Sequence, residues 1–289
     1  MCAGQETKMR SQGKRNDRGV ALLIVLLVTA LLIALIFEFS YATRVSLNSA
    51  INFRDSQRAY FLARSGIFAF IKYGDNLRDN YIPQGELRDV PGLSEADTRV
   101  MLLWEDEAGK IWIKDVKTNS YTQGIVKSLF ENKGIDVKVY NSMVDSTSTI
   151  HNLSLLSELH QYMSDEEFIK VYNCLTASPV TQPGASKYIN INTASSDVLQ
   201  TLGLSAGDIQ DINEKRSQTP LRAGTMPDSV RNTMVPGLTS TAAGNFLTDQ
   251  SHIYKVVVYA TVGGYTKQIE AIVDVSNPSR PTFYYWKSL

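Results

Sequence analysis

The sequence predicts an α+β protein in which a long amino-terminal helix packs on an antiparallel sheet, and a large helical insertion interrupts that sheet. Three observations predict it: an uninterrupted apolar run over residues 20–37, β-rich segments near both ends of the remaining chain, and helix-start signals between them. With 43% hydrophobic residues, 29 Lys+Arg and 29 Asp+Glu, the chain is not of the apolar-poor, highly charged kind that stays disordered. A net charge of zero supplies no global attraction to nucleic acid. The 289 residues allow about two domains, and two cysteines, Cys2 and Cys174, exclude a zinc ribbon or a disulfide framework.

The first element begins in the apolar run VALLIVLLVTALLIALIF, which holds no charge, Gly or Pro and stops at Glu38. A bilayer needs about 17 to 25 such residues, so a transmembrane helix is predicted over 20–37. Before it stand Lys8, Arg10, Lys14, Arg15 and Arg18 against Glu6 and Asp17. By the positive-inside rule this leader stays in the cytoplasm and the rest is exported. Ser40-Tyr41-Ala42 is a poor signal-peptidase site, and the small residue that stands out is Gly19, directly before the run.

The helix is expected to continue past the membrane to about residue 75. Leu47, Ile51, Ala59, Leu62, Ala63, Ile67 and Phe70 recur near the helical period, interleaved with Arg44, Arg54, Asp55, Arg58 and Arg64, and no proline interrupts before Pro83. Two hairpins are predicted next. In the first, residues 100–104 and 111–113 flank Glu105-Asp106-Glu107-Ala108-Gly109-Lys110; in the second, residues 252–262 and 265–275 flank Gly263-Gly264, a two-residue turn. Between them the pattern is helical, with capping spacings at Ser164-x-x-Glu167 and Ser205-x-x-Asp208. The segment from Tyr188 to Leu199 carries Asn190, Asn192, Thr193 and Ala194; Thr193 or Asn192 can cap the following helix, and Asp197 favours its positive end.

The basic leader ending in Arg18-Gly19, the unbroken apolar helix and its amphipathic continuation together resemble the type IV prepilin family. The resemblance implies cleavage between Gly19 and Val20 by prepilin peptidase, methylation of Val20 as the new amino terminus, and loss of Cys2 with the leader. Most members carry glutamate at the fifth mature position, which here is Ile24. An ionisable group inside a bilayer is expensive and kept for a function, so its replacement suits a subunit with none ahead of it, at a tip. The segment Gln57-Arg58-Ala59-Tyr60-Phe61-Leu62-Ala63-Arg64-Ser65-Gly66-Ile67, the Asp-Glu-Ala-Gly-Lys-Ile stretch at 106–111 and the Asn-Ile-Asn-Thr-Ala segment at 190–194 occur in an order that resembles the general secretion pathway protein K family. These are the large minor pseudopilins of the type II secretion system.

That resemblance, from Arg18 to Val275, implies a pilin-like fold with a sterile-alpha-motif-like insertion. The implied domains are a cleaved leader (1–19), the helix (20–75), a pilin-like α/β part (76–117 and 251–289) and the inserted domain (118–250). It further implies a single-pass inner-membrane protein with a periplasmic carboxy-terminal part. Minor pseudopilins I and J, the major pseudopilin G, prepilin peptidase and the inner-membrane secretion platform would be its partners. No catalytic step and no cofactor are expected. Relatives often bind calcium through an acidic stretch, but the corresponding residues 141–150 hold one carboxylate, Asp145, and calcium takes six to eight oxygens. The pair Asp208 and Asp211 reads as a solvated helix face.

Two rivals share features. A minor pilin of a true type IV pilus has the same leader and helix. A membrane-anchored DNA receptor would use a helix-hairpin-helix in which glycine-rich backbone meets phosphate. Here Leu202-Gly203-Leu204-Ser205-Ala206-Gly207 lacks the paired glycines, and Lys215, Arg216 and Arg222 are few. For an enzyme, His151, His160 and His252 show no metal spacing, and Cys174 has no identifiable partner.

Overall fold

In a computed structural model the chain is described at residues 17–79, 84–90, 92–114, 116–117, 120–145, 156–178, 189–221, 247–249 and 251–289. The leader through residue 16, Pro83, residues 146–150, His151, Tyr188 and Arg222 lie outside the described residues. Residues 1–54 and 55–289 form two compact units.

Helix α1 (Asp17–Asp79) is continuous over 63 residues, about 95 Å at 1.5 Å per residue. Every residue from 19 to 54 is exposed, so Leu47 and Ile51 do not belong to the buried stripe. In the second unit Ala59, Ala63, Ile67, Phe70 and Ile71 are buried. Gly66 allows a close approach to the sheet, since a Cβ there would lie 2.7 Å from Val258 Cγ1. Asp55, expected among the solvent-facing charges, is buried against the turn at Gly263, where an added Cβ would come 2.5 Å from its Oδ2.

The sheet has five antiparallel strands. They are β1 (Arg88–Asp89), β2 (Thr98–Asp106) and, beyond the insertion, three strands labelled below in chain order. The predicted first hairpin does not form. β2 runs on to Asp106, a 3-10 turn takes Glu107–Gly109, and β3 (Ile111–Trp112) leaves the sheet to pair in parallel with β4 (Leu175–Thr176). Ile111, Ile113 and Val116 then enter the insertion's core, so the crossing from sheet to insertion falls at Glu107, well before residue 118. Burial explains the difference: a solvated turn would leave Glu107 exposed, whereas it is 3% exposed.

The insertion contains α2 (Ser120–Asn132), α3 (Val137–Val144), a 3-10 turn at Leu156–Gln161, α4 (Asp165–Tyr172), the short parallel pair β5 (Ile189–Asn190) and β6 (Leu247–Thr248), α5 (Ser196–Thr201) and α6 (Ala206–Gln218). Both expected capping boxes are present. Ser164 Oγ accepts from Glu167 N and Ser205 Oγ from Asp208 N, with each acidic side chain accepting in return from the serine N–H. The cap of α5 is Ser195, whose hydroxyl accepts from Val198 N; Asn192 and Thr193 are used elsewhere.

The sheet resumes with β7 (Ile253–Val262), β8 (Tyr265–Asp274) and β9 (Thr282–Ser288), in the spatial order β1-β2-β7-β8-β9. β2 pairs with β7 along its whole length, from Thr98 opposite Val262 to Asp106 opposite Tyr254. The β7–β8 turn at Gly263 and Gly264 has φ of 54° and 89°, a left-handed pair that suits a two-residue hairpin. β9 carries a bulge at Tyr284, which sends both Phe283, opposite Val273, and Trp286, opposite Ala271, to the helix side. Phe283 there meets Phe68 at 6.2 Å and Trp286 at 5.3 Å between ring centroids.

Two apolar cores result, and they share no residue. One lies between α1 and the sheet, with Phe70, Trp104 and Tyr254 in mutual ring contact. The other is the helical core of the insertion, around Phe130, Leu129, Met143, Leu159 and Leu199.

Candidate functional site

Two places differ from an ordinary folded core. The first is the amino-terminal half of α1. Gly19 lies in the helix with nothing within 4 Å of an added Cβ, and Val20 and Ile24 are 61% and 57% exposed. One helix among the described residues is long and apolar enough to cross a membrane, and none of its apolar window is buried. An apolar face of this size in water would be a strong aggregation hazard; it calls for lipid or for other apolar helices.

The second is a polar joint between the two cores, and the Asn190–Ala194 segment is half of it. Asp106, wholly buried, accepts hydrogen bonds from Thr193 Oγ1 at 2.6 Å, Asn190 Nδ2 at 3.0 Å, Ala108 N at 2.8 Å and Ser251 Oγ. Burial pushes its carboxyl above the ordinary value although all four donors pull the other way. Gln84 completes the clasp, accepting from Asp106 N and donating to Thr193 O, each at 2.8 Å. Gly109 lets the two segments touch, since a Cβ there would be 2.9 Å from the Thr193 carbonyl carbon.

The rest of the segment is held from the insertion side. Asn192 pairs with the backbone of Leu221 in both directions, and Arg216 donates to the carbonyls of Ile191 and Ala194 at 3.0 and 2.7 Å. Arg216 is therefore engaged in structure rather than offered to a phosphate. Ala194 is fully buried, where a larger side chain would have no room.

Beside Asp106 runs a chain of charges. Lys110 Nζ lies 2.8 Å from both Glu105 and Glu107, and Thr176 Oγ1 donates to Glu107. Lys255 Nζ reaches Glu270 at 3.2 Å and the Tyr172 hydroxyl at 3.0 Å. Burial works against the ammonium of Lys110, but the charges of Glu107 and Glu105 outweigh it and raise its pKa. Glu105 is likewise opposed by burial and is still lowered, by Lys110 and then Lys255. Sequence reasoning missed Glu105, Asp106, Glu107, Lys110, Ser251 and Lys255. The available signal is three consecutive carboxylates ending a strand, in a segment that the sequence offers as a hairpin turn.

The remaining candidates are structural. His160 Nδ1 lies 3.0 Å from Asp165 and its ring packs at a tilt against Phe168. Cys174 is buried, its thiol pushed up by burial. Asp208 serves its capping box while Asp211 is exposed. Among the described residues no group of three or more His, Cys, Asp or Glu could hold a metal ion.

No family model matches the chain, and no curated protein matches it at a significant level. Among solved structures, a chain in the crystal structure of the GspK-GspI-GspJ complex from the type 2 secretion system of enterotoxigenic Escherichia coli is similar, with a TM-score of 0.59. The match covers 84% of this chain and 98% of that chain at 12% sequence identity. The likeness is one of fold: a mixed α+β chain with a long apolar amino-terminal helix, an antiparallel sheet and further helices inserted into it.

Proposed function

We propose that this protein is a minor pseudopilin at the tip of a type II secretion pseudopilus, where it helps initiate pseudopilus assembly and the export of folded proteins across the outer membrane. The observation that carries the proposal is α1: an exposed apolar stretch, preceded by Gly19 and lacking a carboxylate at position 24, continues unbroken into the helix that the sheet covers. The similarity of fold to a chain of the GspK-GspI-GspJ complex supports it. The helix would anchor in the inner membrane with its leader in the cytoplasm and the folded part in the periplasm. Prepilin peptidase would cut between Gly19 and Val20. Minor pseudopilins I and J would join it in a tip complex, with the major pseudopilin G beneath, on the inner-membrane platform. The inserted helices would form a sterile-alpha-motif-like domain, and the subunit would perform no catalysis.

Intact mass and amino-terminal sequencing of the protein extracted from membranes test the first step. A start at methylated Val20 is expected; a start at Met1 overturns the prepilin pathway. Ile24→Glu in the processed protein tests the tip position, because a carboxylate at that depth should admit the subunit beneath others and lower secretion. Normal secretion with this variant would sink the tip assignment.

A further inference from the structure

We propose that Glu105-Asp106-Glu107 forms a separable polar joint which docks the helical insertion on the sheet and opens as a unit while both apolar cores stay folded. The two cores have no residue in common, so hydrophobic burial makes each stable without specifying how they are joined. Buried polar groups lie where the chain passes between them. The three consecutive side chains take three routes: Glu105 to Lys110, Asp106 to Ser251, Thr193 and Asn190, and Glu107 to Thr176 and Lys110. Their partners come from both sides, with Ser251 just before β7 of the returning sheet and Thr176, Asn190 and Thr193 in the insertion, while beside them Lys255 of β7 bonds Tyr172 of α4.

Such a network is all-or-none. In a site of low dielectric each hydrogen bond strengthens its neighbours, and a buried carboxylate that loses some of its donors is costly until water reaches it. Asp106 accepts from four donors, so partial opening leaves it stranded, whereas full opening solvates every member together. Neither core has to be exposed for that to happen. The joint therefore has an opening free energy of its own, below that of global unfolding. The inference rests on these contacts and holds whatever the chain assembles with.

Hydrogen exchange read by mass spectrometry on the full chain in detergent micelles tests it. In Asp106→Ala the amides of Ala108 and of residues 192–194 should exchange about tenfold faster, while those of α2, β7 and β8 keep their rates. Equal acceleration across α2, β7 and β8, or no change at the joint, overturns the proposal. Ser251→Ala keeps the carboxylate and removes one donor, so it supplies the same reading if Asp106→Ala does not fold. It should accelerate the joint selectively by about threefold, and a uniform or absent effect again overturns it. Val258→Ala, in the sheet core, should accelerate β7 and β8 and leave α2 unchanged; acceleration of α2 by the same factor would show that the cores are not separately held.

Discussion

Glu105 and Asp106 are adjacent in the chain, and their carboxyls are moved in opposite directions. Burial raises Asp106 above its ordinary 3.8, so the folded state holds its proton more tightly than the unfolded state. Stability from this group is therefore present at low pH and declines as pH rises through that interval. Glu105 is lowered below its ordinary 4.5, against burial, by Lys110 and Lys255; its contribution is present above that value and is lost as pH falls through the folded one. Denaturant unfolding of wild type against Asp106→Asn from pH 3 to pH 7 separates the two. The difference, wild type minus variant, should fall with rising pH, and a rising difference would contradict the burial argument. Lys110 is the counter-ion of both glutamates, and Glu107 is almost fully buried. Lys110→Met should therefore cost about 3 kcal/mol in the same unfolding assay, the usual penalty for stranding one member of a buried pair.

At the scale of elements, helix starts were the most legible feature because a cap is a local contract between a hydroxyl and an amide three residues on. Ser164 and Ser205 are legible on that ground. Asn192 and Thr193 satisfy the local rule equally well, and only the distant partners Leu221 and Asp106 decide otherwise. Ser195→Ala should accordingly cost about 1 kcal/mol through loss of the α5 cap, measured by thermal unfolding. Gly109→Ala should cost more, about 1 to 3 kcal/mol, because its methyl meets both the backbone of Thr193 and its hydroxyl, which is itself hydrogen-bonded to Asp106. The β7–β8 hairpin was visible in its glycines and its alternation. The 105–110 segment is legible only as a hairpin turn, since charge alone cannot distinguish such a turn from a buried network whose other half lies about eighty residues downstream. β9 is signalled only by composition, Thr-Phe-Tyr-Tyr-Trp being rich in strand formers.

For the whole molecule, the dominant physical fact is the exposed apolar length of α1. In size-exclusion chromatography the full chain should run as a defined species in detergent and as large aggregates without it, and a monodisperse monomer in plain buffer would refute a lipid-facing helix. The other exposed margin is β9, the last strand of its sheet, whose Phe283, Tyr284 and Trp286 remain 36 to 44% exposed. A flat, aromatic, unpaired strand is a template on which further strands stack into fibres. The extra residue at Tyr284 breaks the spacing of its outward amides and carbonyls, so an approaching strand finds no continuous ladder to copy. Removing Tyr284 would leave every existing pair of β9 in register and straighten that edge, and the molecule would trade a kink for a propensity to polymerise.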